Sequence, residues 1–185
     1  MIEIRWHGRG GQGAWTASNL LAEAALKEGK HVQSFPTFGP ERMGAPIMAF
    51  TRLSDEPIDL HCEVYEPDVV VILDPTLIGS VPVTKGLKPG GVIISNYEGG
   101  PKNLAEALGI QTGQFKIYAV HATEIANRIL GRPITNTAML GALTKATGIV
   151  KLKSLLEAVK ERFPGAIGEK NVQVVKEAYE KTEGM

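Results

Sequence analysis

The sequence predicts a three-layer α/β domain, in which a mixed and mostly parallel sheet carries helices on both faces. Three observations support this prediction. Short strand-like runs alternate along the chain with longer segments of helical periodicity. Residues 69–73 form an unbroken run of Val, Ile and Leu, which is typical of a strand buried on both faces. A Rossmann-like glycine loop stands between the first strand and the first helix.

The elements follow from local patterns taken in chain order. Residues 2–6 alternate apolar and polar side chains, which indicates a strand with one wetter face. After the glycine loop, apolar residues recur at helical spacing until Gly29 closes the first helix. Further strands are predicted at residues 31–35, 47–51, 69–73, 92–95 and 115–120, with another short one after the turn at Asp55-Glu56-Pro57. A short helix is predicted at residues 101–108, and from residue 121 to the end the pattern is helical.

Length and composition limit the function classes. The chain has 185 residues, which suits one domain over residues 1–185. With 20 basic and 20 acidic residues the formal charge is zero, which argues against a nucleic-acid binder that neutralises phosphates. The longest apolar run, at residues 69–73, is far too short for a membrane span, so we expect a cytoplasmic protein. The single cysteine, Cys62, excludes an internal disulfide and an iron–sulfur cluster held by this chain's own cysteines.

The glycine loop is the main candidate for a binding site. Its six residues are Gly8, Arg9, Gly10, Gly11, Gln12 and Gly13, and they match the G-x-G-x-x-G dinucleotide pattern. Glycines allow a sharp turn and bring backbone N–H groups close to an anion. The start of the following helix adds a partial positive charge, and Arg9 adds a full one.

Two other interpretations of the loop stay open. An NAD site needs an acidic residue after the second strand, and residues 33–36 contain none. Ser34 together with Arg42 would suit the 2′-phosphate of NADP, which leaves a free-standing NADP-binding oxidoreductase as an alternative. The glycines also suit a tight turn with close helix–sheet packing and no ligand.

A second loop, predicted at residues 36–46, begins at the carboxyl end of the second strand. Since strand carboxyl ends line the ligand crevice of open α/β sheets, both loops are expected to face one site. Glu41 and Arg42 are the charged candidates within this second loop. Asp74 follows the buried run at residues 69–73 and so also lies at the carboxyl end of a predicted strand. An Asp before Pro75 is, however, an ordinary start of a turn, and we favour that interpretation.

Catalytic and metal-binding constellations are lacking in the sequence. The histidines His7, His31, His61 and His121 are scattered without metal-ligand spacing, so we predict no catalytic residue and no metal site in this chain.

The first helix is apolar around well over half of its circumference, so either another chain or one of the C-terminal helices is expected to cover it.

The two loops together resemble the gamma subunit of 2-oxoacid:ferredoxin oxidoreductases, the family that includes pyruvate:ferredoxin oxidoreductase (pyruvate synthase). The resemblance rests on the glycine loop, on Phe35-Pro36 with residues 39–44, and on two further segments, residues 67–74 and 136–142. It covers most of the chain. The family pattern has Arg-Gly-Gly where this chain has Met43-Gly44-Ala45, next to Arg42. An indolepyruvate-type enzyme of the same superfamily shares the glycine loop and is a second alternative.

The resemblance implies an accessory subunit that is inactive alone. The whole enzyme would decarboxylate a 2-oxoacid, transfer the acyl group to coenzyme A and pass electrons to ferredoxin. Thiamine diphosphate, Mg²⁺ and the [4Fe–4S] clusters would lie on partner subunits of the alpha, beta and delta types. The two loops of this chain, with Arg9, Glu41 and Arg42, would contribute to a coenzyme A site or to a subunit contact.

Overall fold

The computed structural model, which describes residues 1–37, 42–111 and 113–185, contains a sheet in the order β2-β3-β1-β4-β5-β6-β7. The strands are β1 (Ile2–Arg9), β2 (His31–Pro36), β3 (Pro46–Ser54), β4 (Val69–Ile72), β5 (Val92–Asn96), β6 (Lys116–Val120) and β7 (Glu183–Gly184). The helices are α1 (Ala14–Lys27), α2 (Gly100–Leu108), α3 (Ala122–Leu130), α4 (Asn136–Thr147), α5 (Leu152–Arg162) and α6 (Ala166–Lys181), and a 3-10 turn spans Pro75–Leu77. Within these described ranges no helix is both long and apolar enough to cross a membrane.

The strand directions confirm the predicted sheet type. β1, β4, β5 and β6 are parallel neighbours. β3 is antiparallel to β1, and β2 is antiparallel to β3, so β2 runs in the same direction as β1. Only β3 and β7 run the other way among the described strands. The sheet is therefore mixed and mostly parallel.

Helices cover both faces of the sheet, which confirms the three layers. The larger core lies under α1, α3, α4, α5 and α6 and includes Trp6, Leu21 and Met139. The smaller core lies on the opposite face, where α2 and the segment after β4 contribute Leu77 and Leu104. Burial of these large apolar side chains is the main stabilising contribution to the fold.

The sheet topology puts the ends of β1 and β4 beside each other. β1 leads through α1 to β2 on one side of the sheet, whereas β4 continues on the other side towards β5. The carboxyl ends of β1 and β4 therefore flank the point where the strand order reverses. In open α/β sheets this switch point is where ligands bind.

The structure differs from the sequence-based prediction in the lengths of strands such as β1 and β3, in one predicted strand and at the C-terminal segment. β1 continues to Arg9 because Gly8 and Arg9 still pair with Ile47 and Pro46 of β3. The predicted strand after Asp55-Glu56-Pro57 is wrong, since described residues 57–68 contain no strand. The sequence predicts helices from residue 121 to the end, but Glu183 and Gly184 form the two-residue strand β7 beside β6.

A buried arginine explains why the segment after that turn needs no sheet partner. Arg52 is 1% exposed, and its guanidinium donates to Glu3 Oε1 at 2.8 Å and to the Glu63 carbonyl at 3.1 Å. Gln33 Nε2 in turn donates to the Leu60 carbonyl at 2.9 Å. Side chains of β2 and β3 therefore bind the backbone of this segment, which satisfies carbonyl groups without a strand.

The cover over α1 comes from the chain itself. α1 packs against α5 and α4, so of the two covers that the sequence leaves open, the structure has the C-terminal helices. Trp15 and Leu26 stay about half exposed on its outer side.

A neutral histidine lies inside the sheet layer. His7 is 5% exposed, and its Nε2 accepts a hydrogen bond from Arg5 Nε at 3.0 Å. Burial is the main cause that lowers the pKa of His7 to about 3, and the adjacent Arg5 charge contributes in the same direction. The folded protein therefore keeps this imidazole uncharged at pH values where an unfolded chain protonates it.

We expect this histidine to destabilise the fold in acid. The pKa of His7 is lower in the folded protein than in the unfolded chain, so protonation of His7 favours the unfolded chain. The stability is therefore unaffected by His7 above about pH 6.5 and decreases as the pH falls towards about 3. In that window each pH unit should cost up to about 1.4 kcal/mol of the free energy of unfolding. Urea unfolding of wild type and His7→Gln at several pH values measures this slope, which should be shallower by about that amount in the variant. The exposed His31→Gln is the matched control, and equal slopes for all three proteins would contradict the prediction.

Candidate functional site

The glycine loop lies at the carboxyl edge of the sheet, at the switch point between β1 and β4. Gly8 and Arg9 are still part of β1, so the connection to α1 consists of residues 10–13. Gly11 and Gly13 have φ values of +91° and +79°, which side chains rarely adopt. These two glycines are needed for the turn itself.

A short backbone segment crosses over this loop. Residues 42–45, here called the strap, bind Gly10 through two hydrogen bonds. Gly10 N donates to the Ala45 carbonyl at 2.9 Å, and Gly44 N donates to the Gly10 carbonyl at 3.1 Å. A Cβ atom on Gly10 would lie 2.4 Å from the Arg42 carbonyl oxygen. Gly10 is therefore required by the close approach of the strap.

The side chains of Arg9, Gln12 and Thr76 bind the carboxylate of Asp74, and these four residues are here called the Asp74 cluster. Asp74 Oδ2 accepts from Arg9 Nε at 3.1 Å and from Gln12 Nε2 at 2.7 Å. Asp74 Oδ1 accepts from the Thr76 backbone N at 2.9 Å and from Thr76 Oγ1 at 2.7 Å. Gln12 Oε1 accepts from the Arg9 backbone N at 2.7 Å, which ties the loop to β1.

The electrostatics of the cluster keep Asp74 charged. Burial alone would raise the pKa of Asp74, but hydrogen bonds from Thr76 and Gln12 and the charge of Arg9 outweigh it and hold the pKa below its usual value. The ion pair means that the anion nearest to Arg9 belongs to the chain itself. Arg9 also donates from Nη1 to the Gly44 carbonyl of the strap at 3.1 Å.

The other side of the glycine loop is the start of α1. Gly13 occupies the N-cap position, and no side chain caps the helix among the described residues. The first residue of α4 packs here, because a Cβ on Gly13 would lie 2.6 Å from Asn136 Nδ2. Asn136 is 5% exposed and also accepts a hydrogen bond from Thr137 N at 2.9 Å.

The structure brings most of the predicted site residues to one edge. Gly8, Arg9, Gly10, Gly11, Gln12 and Gly13 lie at the end of β1 and the start of α1, and Arg42 lies exposed in the strap. Glu41 lies outside the described residues. Ser34, the NADP candidate, hydrogen-bonds instead to Asn19 and Ser18 of α1, at 2.6 and 2.7 Å.

Sequence reasoning missed two residues of this edge. The sequence places Asp74 at the end of a strand like the two loops and favours it as a turn starter, and its hydrogen bond from Thr76 N confirms the turn. No local sequence pattern indicates the contacts of Asp74 with Arg9 and Gln12, which are 65 and 62 positions away. Asn136 opens the resembling segment at residues 136–142, and that resemblance is the one sequence signal for it.

No catalytic group stands out at this edge. In residues 1–37, 42–111 and 113–185, no three His, Cys, Asp or Glu side chains come together in a way that could hold a metal ion. His7 is buried and neutral, and Cys62 lies exposed on the segment held by Arg52. The described arrangement can bind and orient an anion or a neighbouring chain.

Comparison with known proteins gives one consistent result. The family model described as pyruvate ferredoxin/flavodoxin oxidoreductase matches residues 3–181. The pyruvate/ketoisovalerate oxidoreductases common subunit gamma of Thermococcus kodakarensis is 59% identical, over 98% of this chain and 97% of that protein. Pyruvate synthase subunit PorC of Methanothermobacter thermautotrophicus is 51% identical, over 99% and 97%. The crystal structure of pyruvate oxidoreductase subunit PORC from Thermotoga maritima matches with a TM-score of 0.87 at 40% identity, over 99% and 97%.

We expect Gly10→Ala to destabilise the protein, because its Cβ would overlap the Arg42 carbonyl oxygen. Overpacking of this kind should cost roughly 1–3 kcal/mol in the free energy of unfolding. Gly8→Ala is the matched control, since neither glycine has a positive φ and a Cβ on Gly8 finds its nearest neighbour at 3.4 Å. Urea denaturation of both variants measures the difference. Equal losses would show that the strap does not constrain Gly10.

Proposed function

This chain belongs to the pyruvate ferredoxin/flavodoxin oxidoreductase family, and from that premise we infer that it is the gamma subunit of a multi-subunit 2-oxoacid:ferredoxin oxidoreductase. The observation that carries this conclusion is the match over nearly the whole chain to subunits named gamma or PorC. A free-standing NADP-binding enzyme and an indolepyruvate-type enzyme are not supported by these relatives. The resemblance stated from the sequence is confirmed.

The proposed reaction is the oxidative decarboxylation of pyruvate or a related 2-oxoacid to an acyl-coenzyme A and CO₂, with electrons passed to ferredoxin. We propose that thiamine diphosphate, Mg²⁺ and the [4Fe–4S] clusters lie on alpha-, beta- and delta-type partner subunits. The donor set of this chain does not fit a cluster, since Cys62 is its single cysteine and a cluster requires several thiolates. We also propose that the complex works in the cytoplasm.

Within that complex, the glycine-loop edge is proposed to contribute to the coenzyme A site at a subunit boundary. Backbone N–H groups at the start of α1 and the exposed cation Arg42 favour the phosphates of coenzyme A, and Arg9, which is paired with Asp74, adds its charge at longer range. Met43 of the strap is 86% exposed and Trp15 is 49% exposed, which supports a neighbouring chain at the same edge. Glu41, outside the described residues, remains a candidate for the same edge.

The subunit assignment is tested by anaerobic purification of the tagged chain from its native cell. Native mass spectrometry should detect a hetero-oligomer, and metal and cofactor analysis should detect iron and thiamine diphosphate in it. The purified complex should reduce ferredoxin in the presence of coenzyme A and a 2-oxoacid. A lone chain or a homo-oligomer without iron and thiamine would overturn the assignment.

We expect Arg9→Ala to raise the KM of the assembled complex for coenzyme A several-fold, because the variant removes a cation next to the loop. The 2-oxoacid KM should change little, since that substrate is proposed to bind on other subunits. Steady-state kinetics of the purified complex measure both constants. The exposed Arg132→Ala is the matched control. An unchanged coenzyme A KM in a fully assembled Arg9→Ala complex would contradict the proposed role of Arg9.

A further inference from the structure

Among the described strands, β2 forms one edge of the sheet, with no strand on its outer side. Thr37 N donates to the Met48 carbonyl of β3, so the alternation of an antiparallel pair turns the backbone groups of odd-numbered β2 residues towards β3. The N–H and C=O groups of Val32 and Ser34 therefore point outwards, and so does the C=O of Pro36. Within the described residues these outward groups bond to no other segment of the chain.

This edge lacks the features that usually protect an edge strand. β2 has six residues and pairs with β3 without a bulge, it contains no lysine, and its one proline stands at the last position. The opposite edge is protected by its shortness, since β7 has only two residues. An open edge in a protein proposed to act as a subunit favours the addition of a strand from a partner.

A groove of about 370 Å³ runs along the same edge. It is lined by residues 33–35 of β2 and by residues 60–63 of the segment that follows β3. The buried guanidinium of Arg52 holds this segment through the Glu63 carbonyl, at 3.1 Å. Leu60, 40% exposed, offers an apolar contact within the groove. This wall is therefore fixed before a partner arrives, which lowers the entropy cost of binding.

The wall belongs to a strongly acidic segment. Residues 55–68 contain six acidic residues and neither Lys nor Arg. Asp55 forms an ion pair with Lys30, and Asp68 forms one with Lys88. The four acids without an ion pair in the described part of the chain are Glu56, Asp59, Glu63 and Glu66. Since interfaces match charges of opposite sign, this groove favours a positively charged partner.

A second copy of this chain fits the edge poorly. Two β2 strands paired antiparallel about Ser34 would bring both acidic segments to the same face of the joined sheet, where like charges repel. Val32 would then lie opposite Pro36 of the other copy. Because proline has no N–H, the outward carbonyl of Val32 would have no donor in that pairing.

We infer that an extended, positively charged segment of a partner subunit adds a strand to the outer edge of β2 and lies in the groove against residues 60–63. This inference rests on the proposed function, since it requires other subunits. Hydrogen bonds to the outward backbone groups of β2 supply affinity, and the acidic wall selects Lys or Arg in the added segment.

Hydrogen exchange of the assembled complex tests the added strand. At single-residue resolution, the amides of Val32 and Ser34 should exchange as slowly as those of Gln33 and Phe35, which face β3 and serve as internal controls. Fast exchange at Val32 and Ser34 beside slow exchange at the two controls would overturn the inference, because the outer edge would then be open in the complex.

Charge reversal tests the acidic wall. The double variant Asp59→Lys/Glu63→Lys should weaken the affinity of the partner subunit about tenfold. Native mass spectrometry over a dilution series measures the fraction of complete complex. The double variant Glu106→Lys/Glu180→Lys is the matched control, since both residues are exposed and lie on α2 and α6. A loss of affinity no larger than in this control would overturn the inference.

A photoreactive phenylalanine analogue in place of Leu60 identifies the occupant of the groove. The expected product is a cross-link to a segment of another subunit that contains Lys or Arg. A cross-link to a second copy of this chain, or none at all, would overturn the inference. The wild-type complex, if it reduces ferredoxin, upholds the proposed function in either case.

Discussion

The carboxylate of Asp74 holds together the three segments that meet at the carboxyl edge of the sheet. It binds Arg9 at the end of β1, Gln12 of the glycine loop, and Thr76 of the 3-10 turn. Because Arg9 also donates to the Gly44 carbonyl, the strap is joined to the same anion through one guanidinium. The hydrogen bonds that lower the pKa of Asp74 keep it charged, so this edge stays organised across the neutral pH range.

The layer class could be predicted from the sequence because its signals are local. The Val/Ile/Leu run of β4 and the helical periodicities need only neighbouring residues to be recognised. The length of β1 could not be predicted in this way. Gly8 and Arg9 extend the strand because they pair with β3, whose residues lie almost 40 positions away. Gly8 gives no local indication of a strand, since glycine is depleted in strands.

The candidate site also has parts that local sequence patterns predict and parts that depend on contacts between distant residues. The glycine loop was recognisable from its pattern, and so was the turn at Asp74, whose bonds to Thr76 span two residues. The bond from Gln12 to Asp74 spans 62 residues, and Asn136 meets Gly13 from a distant part of the chain. The first contact depends on the parallel pairing of β1 with β4, and the second depends on how α4 packs against α1. A single sequence therefore indicates the glycine loop but not the distant residues of the same chain that contact it.

The two sides of the glycine-rich loop differ in the groups that approach them. Gly10 and Gly11 are approached by the strap, through the Arg42 carbonyl and the Met43 side chain. The face of the loop towards Asp74 is thus closed by the chain's own groups. Gly13 is approached by a donor, Asn136 Nδ2, next to the uncapped start of α1. The backbone and side chain of the strap therefore fix one side of the loop, whereas the Gly13 side meets a polar side chain at the start of α4.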